Sequence, residues 1–133
     1  MKVAIIGAGA SGLACAVEIA EKAKVNKLPV EIVLIEAKDK IGKKLLATGN
    51  GRCNMMNCNE GDYYFCTDAF SDFALKHFDV KRNLDFFASL GLYTRNDEEG
   101  RVYPLSNQAS GVLDALRFAC EGFGVKVLTE MPI

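Results

Sequence analysis

The stretch Val3-Ala-Ile-Ile-Gly-Ala-Gly-Ala-Ser-Gly12 decides how this chain folds. Its first four residues form a continuous apolar run, which is typical of a strand buried in a parallel sheet. The Gly-x-Gly-x-x-Gly spacing that follows is typical of a turn that leads from a strand into a helix and wraps around a pyrophosphate. The free N–H groups and the dipole at the N-terminus of that helix attract the anion. We therefore predict that the phosphates of a dinucleotide bind at Gly7, Gly9, Ala10, Ser11 and Gly12.

The residues after the glycine turn supply the context that this motif requires. A helical period of apolar residues runs from about Ser11 to Ala23, and the almost wholly apolar stretch Val30 to Glu36 is predicted to be a second, parallel strand. Glu36 ends that strand, where a carboxylate can accept hydrogen bonds from both hydroxyls of a ribose. It lies 24 residues after Gly12, against a usual spacing of about 20, and the loop 24–29 accounts for the difference.

Composition and charge narrow the function further. The 133 residues suit one domain, and 50% of them are apolar, which is enough for a hydrophobic core. The net charge of −1 gives no sign of a nucleic-acid or membrane partner. No apolar run approaches the roughly 18 residues of a membrane span, and the N-terminus does not read as a signal peptide. We expect a cytoplasmic protein, and the sequence does not indicate an oligomeric state.

The five cysteines do not predict a metal site. The spacing Cys53-x4-Cys58-x7-Cys66 fits no standard zinc pattern, and no histidine is near it. Cys53 remains open to two interpretations, a redox-active thiol beside a cofactor or a residue that packs and positions the backbone. Because no Cys-x-x-Cys pair accompanies it, we favour the second interpretation.

The remainder of the chain predicts an interrupted Rossmann-like fold. Residues 37–62 show no clean period, residues 68–91 are helical in pattern, and residues 92–106 predict a hairpin. A helix from Gln108 to Gly122 and a third strand from Val125 to Thr129 follow. We predict an α/β FAD/NAD(P)-binding fold with a parallel sheet of order 3-2-1, incomplete because such folds need further strands. The expected segments are a dinucleotide-binding βαβ unit, a flavin-side loop, a helical and hairpin segment, and a final helix and strand, at residues 1–37, 38–66, 67–106 and 107–133.

The long interval between the second and third strands favours FAD over a nicotinamide dinucleotide, and a family resemblance supports the same interpretation. The motif Gly42-Lys-Lys-Leu-Leu-Ala-Thr-Gly-Asn-Gly-Arg-Cys-Asn54, followed by Asn57 and by Gly100-Arg-Val-Tyr-Pro-Leu-Ser106, resembles a bacterial family of FAD-dependent oxidoreductases. These are the BaiN-type or aminoacetone-oxidase-like flavoproteins. The resemblance covers essentially the whole chain, as the N-terminal portion of a longer protein.

The resemblance implies roles for individual residues. Glu36 would bind the adenosine ribose of FAD, Ala37 would lie beside the adenine, and Ile133 would offer it a backbone contact. A further group would run along the flavin side of the cofactor: Lys43, Lys44, Thr48, Gly49, Asn50, Gly51, Arg52 and Asn54.

The resemblance also implies a reaction, hydride transfer between the flavin and a small organic substrate with NAD(P)H as reductant. No catalytic acid or base can be named, and Arg52 is the one candidate for stabilising negative charge on the reduced flavin or the substrate. Two other hypotheses stay open, an NAD(P)-binding dehydrogenase domain and a non-catalytic fragment that keeps only the fold.

Overall fold

The computed structural model describes residues 1–59, 73 and 76–132, and within them it forms two sheets and several helices. The α-helices with defined bounds are α1 Ala10–Val25, α2 Lys43–Leu46, α3 Val80–Ser89 and α4 Ala109–Gly122, and a short 3₁₀ turn lies at Thr48–Gly51. The strands are β1 Lys2–Ile6, β2 Glu31–Ile35, β3 Met56–Asn57, β4 Thr94–Asn96, β5 Arg101–Pro104 and β6 Lys126–Leu128.

The larger sheet is parallel and has the order β1-β2-β6. Its register places Ile5 opposite Leu34 and Leu34 opposite Val127, so β2 is the central strand of the three. This confirms the predicted order 3-2-1 and the parallel pairing of the first two strands. The bounds of these three strands differ from the predicted ones by at most one residue at each end, as boundaries read from sequence commonly do.

Helices α1 and α4 pack against each other and cover one face of this sheet. Leu13 and Val17 of α1, Leu34 of β2, and Val112 and Leu116 of α4 are almost completely buried in the resulting core. Their spacing in the sequence is the helical period that predicted both helices. The core therefore fixes where the N-terminus of α1 lies relative to α4.

The smaller sheet is antiparallel and has the order β3-β5-β4. The β4–β5 hairpin confirms the predicted one, and the Asp97 carboxylate closes its turn by accepting hydrogen bonds from the N–H groups of Glu99 and Arg101. The expectation that residues 37–62 lack regular structure was wrong in two places, because α2 and β3 lie within them. Both are too short to show a period, and β3 exists only because β5 offers it a pairing edge.

Helix α3 lies within the segment that was predicted to be helical, and Asp79 caps it by accepting a hydrogen bond from the Arg82 N–H at 2.7 Å. Phe86, Phe87 and Leu90 pack against the main core. The predicted helical residues 68–72, 74 and 75 lie outside the described part of the chain.

None of the helices in the described ranges combines the length and apolar character needed to cross a membrane. The architecture is an α/β Rossmann-like domain with a small antiparallel sheet inserted before the third parallel strand.

Candidate dinucleotide-binding site

The glycine turn joins β1 to α1 with no room for a side chain at its last glycine. A Cβ atom on Gly12 would lie 1.9 Å from the carbonyl oxygen of Gly7, which is backbone and cannot move aside. At the start of the turn, the Gly7 N–H donates to the carbonyl of Ile35 at 2.7 Å, so the turn is fastened to the end of β2. The third glycine of the motif thus sets how closely α1 approaches β1.

The N-terminus of α1 is open to a ligand. Gly9 occupies the N-cap position, and no side chain caps the helix there. A Cβ atom built on Gly9 would have no atom within 4 Å, so the space in front of the first helical turn is free. The first N–H groups of a helix have no partner within the helix, and together with the helix dipole they favour a bound anion. This geometry fits a pyrophosphate.

The segment after Gly42 forms the opposite wall. Helix α2 carries Lys44, and the Thr48 hydroxyl donates to the Leu45 carbonyl at 2.6 Å. The chain then turns sharply, with Asn50 and Cys53 in the left-handed region at φ values of 54° and 58°. Left-handed backbone costs a non-glycine residue roughly 1 kcal/mol, and asparagine tolerates it better than most residues. The turn returns the chain to the wall at Asn54.

A cavity of about 520 Å³ lies between the glycine turn and this wall. Phe87 of α3 and the buried residues Val112 and Leu116 of α4 complete its lining. Lys44 also lines it, and Lys44 makes no ion pair with a carboxylate in the described part of the chain. The predicted site residues that the cavity brings together are Gly7, Gly9, Ala10, Ser11, Gly12, Lys44, Thr48 and Asn54.

Glu36 stands beside the glycine turn at the end of β2. Its carboxylate accepts hydrogen bonds from the N–H groups of Lys38 and Ala8, at 2.9 Å and 2.8 Å. These two bonds, the one from Lys38 first, hold the pKa of the Glu36 carboxyl below its ordinary value. The group is therefore an ionised acceptor at neutral pH, and each oxygen keeps lone pairs for further donors. Ala37, which follows it, is exposed.

Other predicted residues lie near the cavity without lining it. Lys43 pairs with Asp39 and is about half exposed. The Arg52 guanidinium is exposed and lies 5.1 Å from the centre of the buried Tyr103 ring. Gly49, Asn50 and Gly51 form the sharp turn and are exposed. Ile133 lies outside the described residues.

The sequence did not indicate several of the lining residues. Ile6, Leu45, Met55, Phe87, Val112 and Leu116 are apolar residues in regular or loop patterns that predict only core packing. Cys53 is 7% exposed and belongs to the main core cluster, and it also lines the cavity. Only the Gly-Arg-Cys-Asn motif placed it near the cofactor.

A second, more open cavity of about 600 Å³ adjoins the first. Asn54 and Met55 line both of them. The second cavity is otherwise formed by the small sheet and its turn, and its Arg101 is already paired with Asp97 and Glu99. It therefore offers amides and thioethers rather than a free charge. Within the described ranges, no cluster of histidine, cysteine and acidic side chains could hold a metal ion.

Comparison with known proteins finds one family and several relatives that match nearly the whole chain. Residues 1–133 match the family described as HI0933-like protein Rossmann domain. The 3-dehydro-bile acid delta(4,6)-reductase of Clostridium scindens is 39% identical over 99% of this chain and 32% of its own length. The ribosomal RNA dihydrouridine synthase of Haemophilus influenzae is 29% identical over 97% of this chain and 31% of its own length. The chain thus spans about a third of the length of these curated relatives.

A solved structure supports the fold alone. The crystal structure of THI4 from Thermovibrio ammonificans superposes with a TM-score of 0.54 at 17% identity. The alignment covers 96% of this chain and 38% of the THI4 chain.

Proposed function

The chain belongs to the HI0933-like, BaiN-type family of FAD-dependent oxidoreductases, and we propose that it binds the adenine dinucleotide of FAD within a longer enzyme of that family. The observation that carries this proposal is the cavity in which the open N-terminus of α1 faces Lys44, Thr48 and Asn54. An anion site at one end and a basic, polar wall at the other suit a ligand with a pyrophosphate joined to a larger polar ring system.

Within this proposal, different residues contact different parts of the cofactor. The first N–H groups of α1 donate to the pyrophosphate, and Glu36 accepts hydrogen bonds from the adenosine ribose. Ala37 lies beside the adenine. Lys44, Thr48 and Asn54 contact the flavin side, and Gly49, Asn50 and Gly51 act through the shape of the turn that presents Asn54. Lys43 lies at the rim, paired with Asp39, and Arg52 is the candidate for stabilising a negative charge.

For the full-length protein we propose a reductase that uses NAD(P)H and acts on a small organic substrate. When bound, the flavin supplies the hydride chemistry, and the protein orients it and excludes competing reactions. The relative at 39% identity bears the name of a reductase that acts on bile acids, which supports a small-molecule substrate. The relative at 29% identity bears the name of an enzyme that acts on ribosomal RNA, so the substrate class needs its own test.

The experiment that tests cofactor binding compares two glycine variants of the full-length protein. Gly9→Val places a side chain in the free space before α1, where nothing in the protein obstructs it but a phosphate would. We expect a folded protein whose FAD affinity is at least about tenfold lower, because the pyrophosphate can no longer approach the helix. Gly122→Val is the matched control, since a Cβ atom on Gly122 would also have no atom within 4 Å and this residue lies far along α4.

The readouts are the absorption bands of oxidised flavin in the purified protein and a titration of the apoprotein with FAD. Equal FAD affinity in Gly9→Val and wild-type protein would contradict the proposed site. A colourless full-length protein that takes up no FAD but binds NAD(P)H would favour the dehydrogenase hypothesis. A protein that binds neither would favour a non-catalytic role.

A further inference from the structure

Ala8, in the middle of the glycine turn, is completely buried, and both of its backbone hydrogen-bonding groups are held by the segment after β2. Its N–H donates to Oε2 of Glu36 at 2.8 Å. Its carbonyl accepts a hydrogen bond from the Gly42 N–H at 2.9 Å. The turn is therefore fastened at its centre, in addition to the Gly7 bond at its start.

The Glu36 carboxylate is itself held from both sides. Its other oxygen, Oε1, accepts the Lys38 N–H at 2.9 Å, and the backbone N–H of Glu36 donates to the Leu128 carbonyl of β6 at 2.8 Å. A carboxylate fixed in this way cannot swing freely between the turn and a ligand. Hydrogen bonds that involve a charged acceptor are about twice as strong as those between neutral groups.

The position of Ala8 matters because the ligand-binding residues follow it directly. Gly9 is the N-cap of α1, and the N–H groups that face the cavity belong to the residues after Gly9. A small rotation of the backbone at Ala8 would change the direction of these donors. Donors that are fixed before the ligand arrives bind it more tightly, because no ordering cost remains.

Resting on the proposed function, we propose that Glu36 is a positioning residue for the pyrophosphate, acting through the Ala8 N–H and independently of any contact with ribose hydroxyls. A residue that only binds the ribose would influence ligands that carry those hydroxyls and no others. A residue that also shapes the turn influences every ligand that places phosphates on it.

The test uses the apoprotein of the full-length enzyme and two probes, ADP and 2′,3′-dideoxy-ADP, with affinities measured by calorimetry. Glu36→Ala removes the acceptor for Ala8, whereas Glu36→Gln keeps one acceptor oxygen and nearly the same size. Glu31→Gln is the matched control, because this carboxylate lies at the other end of β2 and pairs only with the exposed Lys2 among the described residues.

We expect Glu36→Ala to weaken the binding of dideoxy-ADP by about fivefold or more, the order expected from losing a charge-assisted hydrogen bond. Glu36→Gln should lose less affinity, and Glu31→Gln should lose none. Hydrogen exchange in the peptide that contains Ala8 should speed up in Glu36→Ala and stay unchanged in Glu31→Gln.

Unchanged dideoxy-ADP affinity in Glu36→Ala, with weakened ADP affinity, would overturn the inference and leave the proposed function standing. Wild-type apoprotein that binds neither probe nor FAD would overturn both. If Glu36→Ala does not fold, Glu36→Met decides the question, because methionine has a similar length but no carboxylate to accept the Ala8 N–H. Equal dideoxy-ADP affinity and equal Ala8 exchange in that variant and wild type would overturn the inference.

Discussion

At the scale of single residues, the absence of one methyl group at position 12 controls the contact between β1 and α1. The carbonyl oxygen of Gly7 occupies the place where a Cβ atom would stand, so the helix begins in van der Waals contact with the turn. The carbonyl oxygen belongs to the backbone and cannot rotate away, and the core residues Leu13 and Leu34 nearby are completely buried. No neighbouring group can therefore move aside to make room for a larger residue at position 12.

We expect Gly12→Ala to lower the free energy of unfolding by about 3 kcal/mol or more, the upper range for overpacking a close contact. Gly122→Ala is the control, because it adds a methyl group in open space at the end of a helix. That change should leave stability equal or raise it by up to about 1 kcal/mol. Urea unfolding of the two variants and wild type measures both values, and equal stability of Gly12→Ala and wild type would contradict the close contact.

Sequence could predict the residues of the motif but not their partners. The spacing of Gly7, Gly9 and Gly12 carries its own geometry, because a turn of this kind needs glycine at those places. The bonds from Ala8 to Glu36 and Gly42, and the stacking of Arg52 on Tyr103, join residues far apart in the chain. Their existence depends on the packing of whole elements, which no local pattern records.

At the scale of elements, Gly42 couples the wall of the cavity to helix α4. It has a left-handed φ of 67°, and a Cβ atom there would lie 2.3 Å from Cδ1 of Leu113. Gly42 directly precedes α2, so its contact with Leu113 of α4 also determines where Lys44 of α2 lies. Unlike the contact at Gly12, this one meets the end of a flexible side chain.

We expect Gly42→Ala to destabilise the protein by about 1–3 kcal/mol, from overpacking and from left-handed backbone. Adding Leu113→Ala should make the double variant more stable than the sum of the single changes predicts, by about 1 kcal/mol, because the clash is then absent. The backbone strain would remain, so the rescue is partial. Urea unfolding of the four proteins in this cycle measures the coupling, and strict additivity would contradict the contact.

The main elements could be predicted because each carries a long enough pattern. Helices α1 and α4 show a helical period over many residues, and the first two strands are nearly continuous apolar runs. The order of the parallel strands follows from the connection rules. Helix α2 and strand β3 could not be predicted in this way. Strand β3 has only two residues, and it pairs with β5, which belongs to a hairpin more than 35 residues later in the chain.

At the scale of the whole molecule, burial separates the described cysteines into two classes. Cys15 and Cys58 are exposed, whereas Cys53 and Cys120 are buried, and all four are free thiols. Burial raises the pKa of the Cys120 thiol to about 11, because the thiolate would lose its hydration in the core between α1 and α4. The thiolate is the reactive form of cysteine, and it must be accessible to the reagent. The exposed cysteines should therefore react faster than the buried ones.

We expect iodoacetamide to modify Cys15 well before Cys120 in the native protein at mildly alkaline pH. Peptide mapping by mass spectrometry over a time course measures the two rates, and urea-unfolded protein serves as the reference in which the rates converge. Equal native rates for Cys15 and Cys120 would contradict the packing of α4 against α1.

The hydrogen bond from the Glu36 N–H to the Leu128 carbonyl affects the order in which parts of the chain can fold during synthesis. Strand β2 pairs with β6 from Val33↔Lys126 to Ile35↔Leu128, so the strand that precedes Glu36 is not flanked on both sides until residue 128 has left the ribosome. Contacts this distant in the chain form late, because the loop between them must close first. The nascent chain should therefore complete the parallel sheet beside the glycine turn only after α4 and β6 are synthesised.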